Sequence, residues 1–199
     1  MKALTLFLTL LCAIPCSAAS LGPEVAIMQI KFPKEKQPRE VVIGLHDEAA
    51  PNTVQNFKSL IARKFYNGLR FHRAFPDSLV QTGDPGSRWG QQDKTGTGGP
   101  GYTIPCEIGL KHEKGALAMA RLPDKINPAK HSNGSQFYVC LQPLPKLNGE
   151  YTVFGTVLEG LDVLEEISKA PTNSNDFPLP KIIIKSVKLA PRPSSNSLR

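Results

Sequence analysis

The sequence predicts a mainly β fold, a closed eight-stranded antiparallel β-barrel capped by two α-helices, and three observations lead there. Short runs of β-branched and aromatic residues recur from Val25 to Leu189, each bounded by Gly, Pro, Asn or Asp. Only two well-separated stretches change to a helical period. The 16 glycines and 18 prolines are spread between the runs rather than gathered into a repeat or linker. Many short strands with two isolated helices are accommodated by curling the sheet on itself and covering its ends with the helices. A split α+β sandwich is the alternative.

In chain order, Val25 to Phe32 and Val41 to Leu45 flank the charged, proline-containing Pro33 to Glu40 and read as an opening hairpin. Pro51 suits the first turn of a helix, and Val54, Phe57, Leu60 and Ile61 then fall on one face, so the helix spans Pro51 to Arg63. Phe71 to Asp84 is strand, turn and strand around Pro76-Asp77. Pro85 to Pro105 is a long loop centred on Gly96-Thr97-Gly98-Gly99-Pro100-Gly101. A phosphate-binding loop needs a helix opening directly after its glycines, and Pro100 and Pro105 follow instead. Gly115 to Arg121 and Gln136 to Leu141 are packed strands, separated by the polar loop Leu122 to Ser132 and the turn signal Asn133-Gly134. Val153 to Val157 is a further strand, Leu161, Leu164 and Ile167 mark the second helix, and Ile182 to Leu189 is the last strand.

The ends differ from the middle. Met1-Lys2, the apolar run Ala3 to Pro15 and the small residues through Ala19 have the three parts of a secretory leader, with cleavage after Ala18 or Ala19. Its apolar run is too short to span a bilayer. The organisation expected is therefore a signal peptide over 1–19, one domain over 20–190 and a disordered Pro/Ser-rich tail over 191–199. The predicted location is exported, periplasmic or secreted, with no stable membrane insertion after cleavage.

A formal charge of +7 raises the question of nucleic acid, but the basic residues are scattered, with no Lys/Arg block and no interleaved aromatic stripe. No nucleic-acid partner is expected, and the chain is read as a monomer. Cleavage leaves Cys106 and Cys140, enough for one disulfide but no framework. Cys140 lies in an apolar run and reads as a small core residue, and nothing in the spacing marks a required bridge.

Across the Pro76-Asp77 bend, Arg73 and Gln81 stand on facing strands. An arginine that cannot lose its proton beside an amide that both donates and accepts is suited to gripping an amide or carboxylate. On the strand that starts at Gln136, residues 136, 138 and 140 share one face, so Gln136 and Tyr138 look one way while Phe137 faces the core.

Phe71-His72-Arg73, Gln81-Thr82-Gly83-Asp84, Gly96-Thr97-Gly98-Gly99, Ala118-Met119-Ala120, Asn133-Gly134-Ser135-Gln136-Phe137-Tyr138, Tyr151-Thr152-Val153-Phe154-Gly155 and Val157-Leu158-Glu159-Gly160 follow one another in the order seen in one family. Together they resemble the cyclophilin-type peptidyl-prolyl cis-trans isomerases, over roughly Val25 to Leu189, and look most similar to bacterial exported members. The resemblance implies an eight-stranded barrel with two helices and an outer groove for proline-containing polypeptide segments. It implies Arg73 as the catalytic arginine and Gln81 as its polar partner. It further implies that Leu79, Ala120, Arg121, Gln136, Tyr138, Leu147 and Tyr151 contact the substrate. His72 reads as a packed histidine without a catalytic task. No metal and no cofactor are expected.

Three positions depart from the family pattern: Ser78 where a phenylalanine is frequent, Lys146 where a tryptophan is frequent, and Arg121 where asparagine is usual. The function expected is isomerisation of X-Pro bonds in flexible or unfolded polypeptides, assisting folding outside the cytoplasm. The alternative is a binding or chaperone module of the same fold with weak or no turnover.

Overall fold

A computed structural model of the chain describes residues 20–89 and 95–193. The expected leader, residues 1–19, lies outside the described residues, as do 194–199 of the expected tail. Among the described residues, no helix is long and apolar enough to cross a membrane.

Eight strands form one antiparallel sheet: β1 Glu24–Lys31, β2 Arg39–Leu45, β3 Arg73–Phe75, β4 Leu79–Thr82, β5 Ala116–Met119, β6 Phe137–Cys140, β7 Val153–Glu159 and β8 Ile183–Pro191. Two helices, α1 Pro51–Ala62 and α2 Leu161–Ser168, interrupt them. The sheet order is β3-β4-β6-β5-β7-β2-β1-β8. Register shifts at Gln29/Ile30, Val42/Ile43 and Leu117/Ala118 mark bulges, which bend strands and increase twist, so the sheet curls.

The curl does not become the closed ring expected from the sequence. β3 and β8 stand at the two ends of the order and are not paired as strands. The seam is spanned by the segment just before β3: a single bridge joins Arg70 to Ile183, and the N–H groups of Gly68 and Phe71 donate to the carbonyls of Ile184 and Ile182 at 2.7 and 3.3 Å. The result is a half-barrel with a laced opening. Within the stretch expected as tail, Pro191 pairs with Glu24 and the Arg192 N–H donates to the Pro23 carbonyl.

Alternation along the strands separates two apolar layers. The larger core holds Ala74, Val80, Leu117, Met119, Phe137 and Val139 from β3 to β6 together with Val54, Phe57, Leu60 and Ile61 of α1 and Val163, Leu164 and Ile167 of α2. The Phe57 ring packs against Tyr66, Phe154 and Phe137 with centroids 5.2, 5.3 and 5.6 Å apart. The opposite face of the same strands carries a second, smaller cluster of Ala116, Ala118, Tyr138, Cys140 and Val153, flanked by Leu79, Leu147 and Tyr151. Among the described residues, Cys106 and Cys140 are free thiols. Burial in this cluster pushes the Cys140 thiol up to about 12.

Helix α1 has no N-cap of its own, since Ala50 precedes Pro51 and its first turn carries no acidic residue. Glu107 supplies one from a distant loop. Its carboxylate accepts from the backbone N–H groups of Asn52 and Thr53 at 3.0 and 2.8 Å and from their side chains at 2.9 and 2.7 Å. An anion over the first turn satisfies orphan donors and the helix dipole together.

Candidate active site

The smaller cluster is the floor of a groove built from one row of paired residues. Arg73 of β3 faces Gln81 of β4, Gln81 faces Tyr138 of β6, Tyr138 faces Ala118 of β5, and Ala118 faces Val153 of β7. Directly opposed residues in an antiparallel sheet share a face, so a charge, an amide, an aromatic ring and small residues are aligned across five strands. Phe75, Leu79 and Cys140 form the adjacent row on the same face. The turn between β3 and β4 is tight enough to put Asp77 at φ 53°, a conformation that Asp tolerates better than most residues.

A cavity of about 460 Å³ opens above these rows, and all nine site residues expected from the sequence line it: Arg73, Leu79, Gln81, Ala120, Arg121, Gln136, Tyr138, Leu147 and Tyr151. Phe75, Gly96, Leu122, Pro123 and Asn133 line it as well and were not anticipated. Phe75 was legible, because it lies two residues from Arg73 on a strand and must share its face. Ser78 and Lys146 are not among the lining residues.

The polar side of the groove is a chain of hydrogen bonds. Arg73 Nη1 donates to Gln81 Oε1 at 3.5 Å, Gln81 Nε2 to Gln136 Oε1 at 2.9 Å, and Gln136 Nε2 to the Gly98 carbonyl at 2.7 Å. Gln81 and Gln136 are buried, whereas Arg73 is exposed at the mouth. The Arg73 guanidinium lies 4.9 Å from the centroid of the Phe75 ring, and no carboxylate pairs with it among the described residues. A cation held by an amide and a ring keeps its charge available to a ligand.

The apolar side is formed by Tyr138 and Tyr151, edge to face with centroids 5.9 Å apart, and by Leu79 and Leu147. The Tyr138 hydroxyl is engaged by His112 Nε2 at 2.9 Å. Burial pushes the Tyr138 hydroxyl well above its ordinary range, so it is protonated at neutral pH.

Arg121 contributes by shaping the wall. Its Nε and Nη2 donate to the Glu150 carbonyl and carboxylate at 2.8 and 2.9 Å, and Nη1 to the Leu122 carbonyl at 3.0 Å and to Asp124. Its guanidinium sits 4.7 Å from the centroid of Tyr151. With its donors committed to these partners, Arg121 fixes the loop from Leu122 and the face of Tyr151.

His72 is packed beneath this site at 2% exposure, and neither ring nitrogen has a hydrogen-bond partner within bonding geometry. Burial pushes its pKa down to about 4; the Asp84 carboxylate opposes the shift and the Arg73 charge adds to it.

Residues 28–189 match the family model for cyclophilin type peptidyl-prolyl cis-trans isomerases. The chain belongs to this family. The cyclophilin is 46% identical over 132 residues to peptidyl-prolyl cis-trans isomerase B of Bacillus subtilis, a match covering 65% of this chain and 83% of that protein. It is 41% identical over 134 residues to a Helicobacter pylori peptidyl-prolyl cis-trans isomerase, covering 65% and 74%. Among solved structures, a Cryptosporidium parvum cyclophilin superposes with a TM-score of 0.73 at 28% identity, covering 85% of this chain and 99% of that one. The same Cryptosporidium protein has been solved in the presence of the dipeptide Ala-Pro, with a TM-score of 0.72 and 28% identity to this cyclophilin over 84% and 99% of the two chains.

Proposed function

We propose that this cyclophilin is an exported monomeric isomerase that rotates X-Pro bonds in flexible or unfolded polypeptides and assists their folding outside the cytoplasm. The observation that carries the catalytic reading is the Arg73 guanidinium, held by Gln81 and Phe75 at the mouth of a groove walled by Leu79, Leu147, Tyr138 and Tyr151. Amide resonance sets a rotation barrier of about 18–20 kcal/mol. At the twisted transition state the proline nitrogen becomes pyramidal and regains a lone pair. A guanidinium N–H against that nitrogen stabilises the twisted state and finds no such acceptor in either planar isomer, which is differential transition-state binding. The tyrosines and leucines hold the pyrrolidine ring while the preceding carbonyl swings. No bond is broken, so the reaction requires neither nucleophile nor electron carrier.

Export rests on the leader pattern of residues 1–19. The experiment is twofold. Protein recovered from the native host should lie outside the cytoplasm and begin at residue 19 or 20, and this mature form should accelerate isomerisation of proline peptides. Unprocessed protein confined to the cytoplasm would contradict the location. Tight peptide binding without turnover would replace the enzyme with a binding module.

A further inference from the structure

The glycine-rich run from Gly96 to Gly99 has the look of an anion-binding loop, and the chain supplies the anion itself. Asp84, fully buried, follows β4 and directs its carboxylate into the loop. Oδ1 accepts from the Gly86 N–H at 2.7 Å, and Oδ2 accepts from the Gly96 and Gly98 N–H groups at 2.5 and 3.0 Å. Backbone N–H groups converging in this way form a nest for negative charge. The carboxylate also explains the glycine, since a Cβ built on Gly98 would collide with Asp84 Oδ1.

The loop closed on Asp84 presents two acceptors to one side chain. Gln136 Nε2 lies 2.7 Å from the Gly98 carbonyl and 3.4 Å from Asp84 Oδ2. The same Gly98 carbonyl accepts from Asn133 Nδ2 at 3.0 Å. Neither acceptor of Gln136 has a proton to give, so Gln136 must turn Nε2 toward them and Oε1 away. That choice fixes Gln81, whose Nε2 donates to Gln136 and whose Oε1 is left for Arg73. Reversing the Gln136 amide would set its Nε2 against Gln81 Nε2, and reversing Gln81 to relieve that would set Gln81 Nε2 against the Arg73 guanidinium. His72, the neighbouring titratable group, is kept neutral by burial.

We propose that Asp84 is a positioning residue for the isomerase: seated in the nest of Gly86, Gly96 and Gly98, it sets the polarity of the Gln136–Gln81 pair and thereby aims the Arg73 guanidinium at the substrate amide. It does not touch the substrate itself.

The test is a double-mutant cycle on the mature protein, read by NMR exchange on a proline peptide at enzyme concentrations high enough to register residual turnover. Asp84→Asn keeps the size of the side chain and places a donor against N–H groups. Expected are a fall in kcat of about tenfold or more with KM within about twofold, and a further loss below about twofold when the same change is made on Arg73→Ala. An equal proportional loss in both backgrounds would overturn the proposal, as would an undiminished kcat in the single variant. Should Asp84→Asn fail to fold, the unsubstituted protein still decides the matter. Side-chain amide protons of Gln81 and Gln136 that exchange slowly with water support the relay, and protons that exchange as fast as those of exposed glutamines overturn it.

Discussion

His112 and Tyr138 share a hydrogen bond of 2.9 Å whose direction is fixed from behind. Asn148 Oδ1 accepts from the His112 backbone N–H at 2.8 Å and lies 3.1 Å from His112 Nδ1. The ring proton therefore sits on Nδ1, Nε2 is the acceptor, and Tyr138 donates. Burial lowers the His112 pKa, which keeps the imidazole neutral in this role. Tyr138→Phe should thus cost about 1 kcal/mol of stability, for one lost hydrogen bond and an unpaired nitrogen, and leave kcat/KM nearly unchanged because the ring stays. Thermal denaturation with a proline-peptide assay checks both; a large loss of turnover would mean that the hydroxyl itself meets the substrate.

The two faces of β6 should separate in the laboratory. Tyr138→Ala removes a wall of the groove and should weaken peptide binding. Phe137→Ala empties the space among Phe57, Tyr66 and Phe154 and should cost about 3–5 kcal/mol with little effect on affinity in the surviving folded protein. Denaturant titration and calorimetry on the pair provide the measurement, and equal stability losses with unchanged binding would reverse the assignment of faces.

Arg73→Ala should lower kcat/KM at least about tenfold, equivalent to roughly 1.4 kcal/mol of transition-state stabilisation. Because Arg73 is exposed and lies on the short strand β3, its melting temperature should move little. A folded variant with full activity would remove Arg73 from the mechanism.

Glu107 makes α1 sensitive to acid. Burial raises its carboxyl pKa, but the hydrogen bonds from Asn52 and Thr53 outweigh burial, and the net value lies below 4.5. A depressed acid contributes stability above its unfolded pKa and loses it as pH falls through the folded value. Glu107→Gln should cost about 1 kcal/mol at pH 7, as for loss of a cap, and solvent screening keeps the pH-dependent share smaller. Melting curves of parent and variant should converge as the pH falls below the ordinary glutamate range. A gap that stays constant through that fall would show that charge is irrelevant to the cap.

His72 should impose a second acid-sensitive step. Its pKa falls from 6.5 to about 4 on folding, so the unfolded chain takes up a proton that the native state refuses. The associated stability is complete above pH 6.5 and declines as pH falls toward 4, by roughly 3 kcal/mol at most. NMR titration of the imidazole and denaturant titrations across this range provide the check. A His72 ring that titrates near 6.5 in the folded protein would contradict it.

What the sequence made legible was local or periodic. Val54, Phe57, Leu60 and Ile61 announce α1 by their spacing, and the alternation at Gln136, Phe137 and Tyr138 separates groove from core. The curled eight-stranded sheet was legible but its closure was overstated, because period two says which way a side chain points but not whether the first and last strands of a curled sheet meet. The cap on α1 was missed since Glu107 lies 55 residues from Asn52, beyond any capping pattern written in adjacent residues. The glycine loop could be excluded as a phosphate site, yet its partner is a carboxylate on the same chain, a long-range pairing that composition does not disclose. Phe75 is a different kind of omission, recoverable from the two-residue period of β3.

The laced seam bears on strand addition at the two edges of the sheet. An unfolded polypeptide carries free N–H and C=O groups, and the exposed margin of a sheet invites it to add a strand. Here the margin of β3 is occupied where the Ala74 N–H donates to the Asp176 carbonyl at 2.9 Å. The start of the β8 margin is occupied by Gly68, Leu69 and Phe71, which exchange backbone hydrogen bonds with Ile182 and Ile184. At these points of the two sheet edges the main chain is already paired and closed to strand addition.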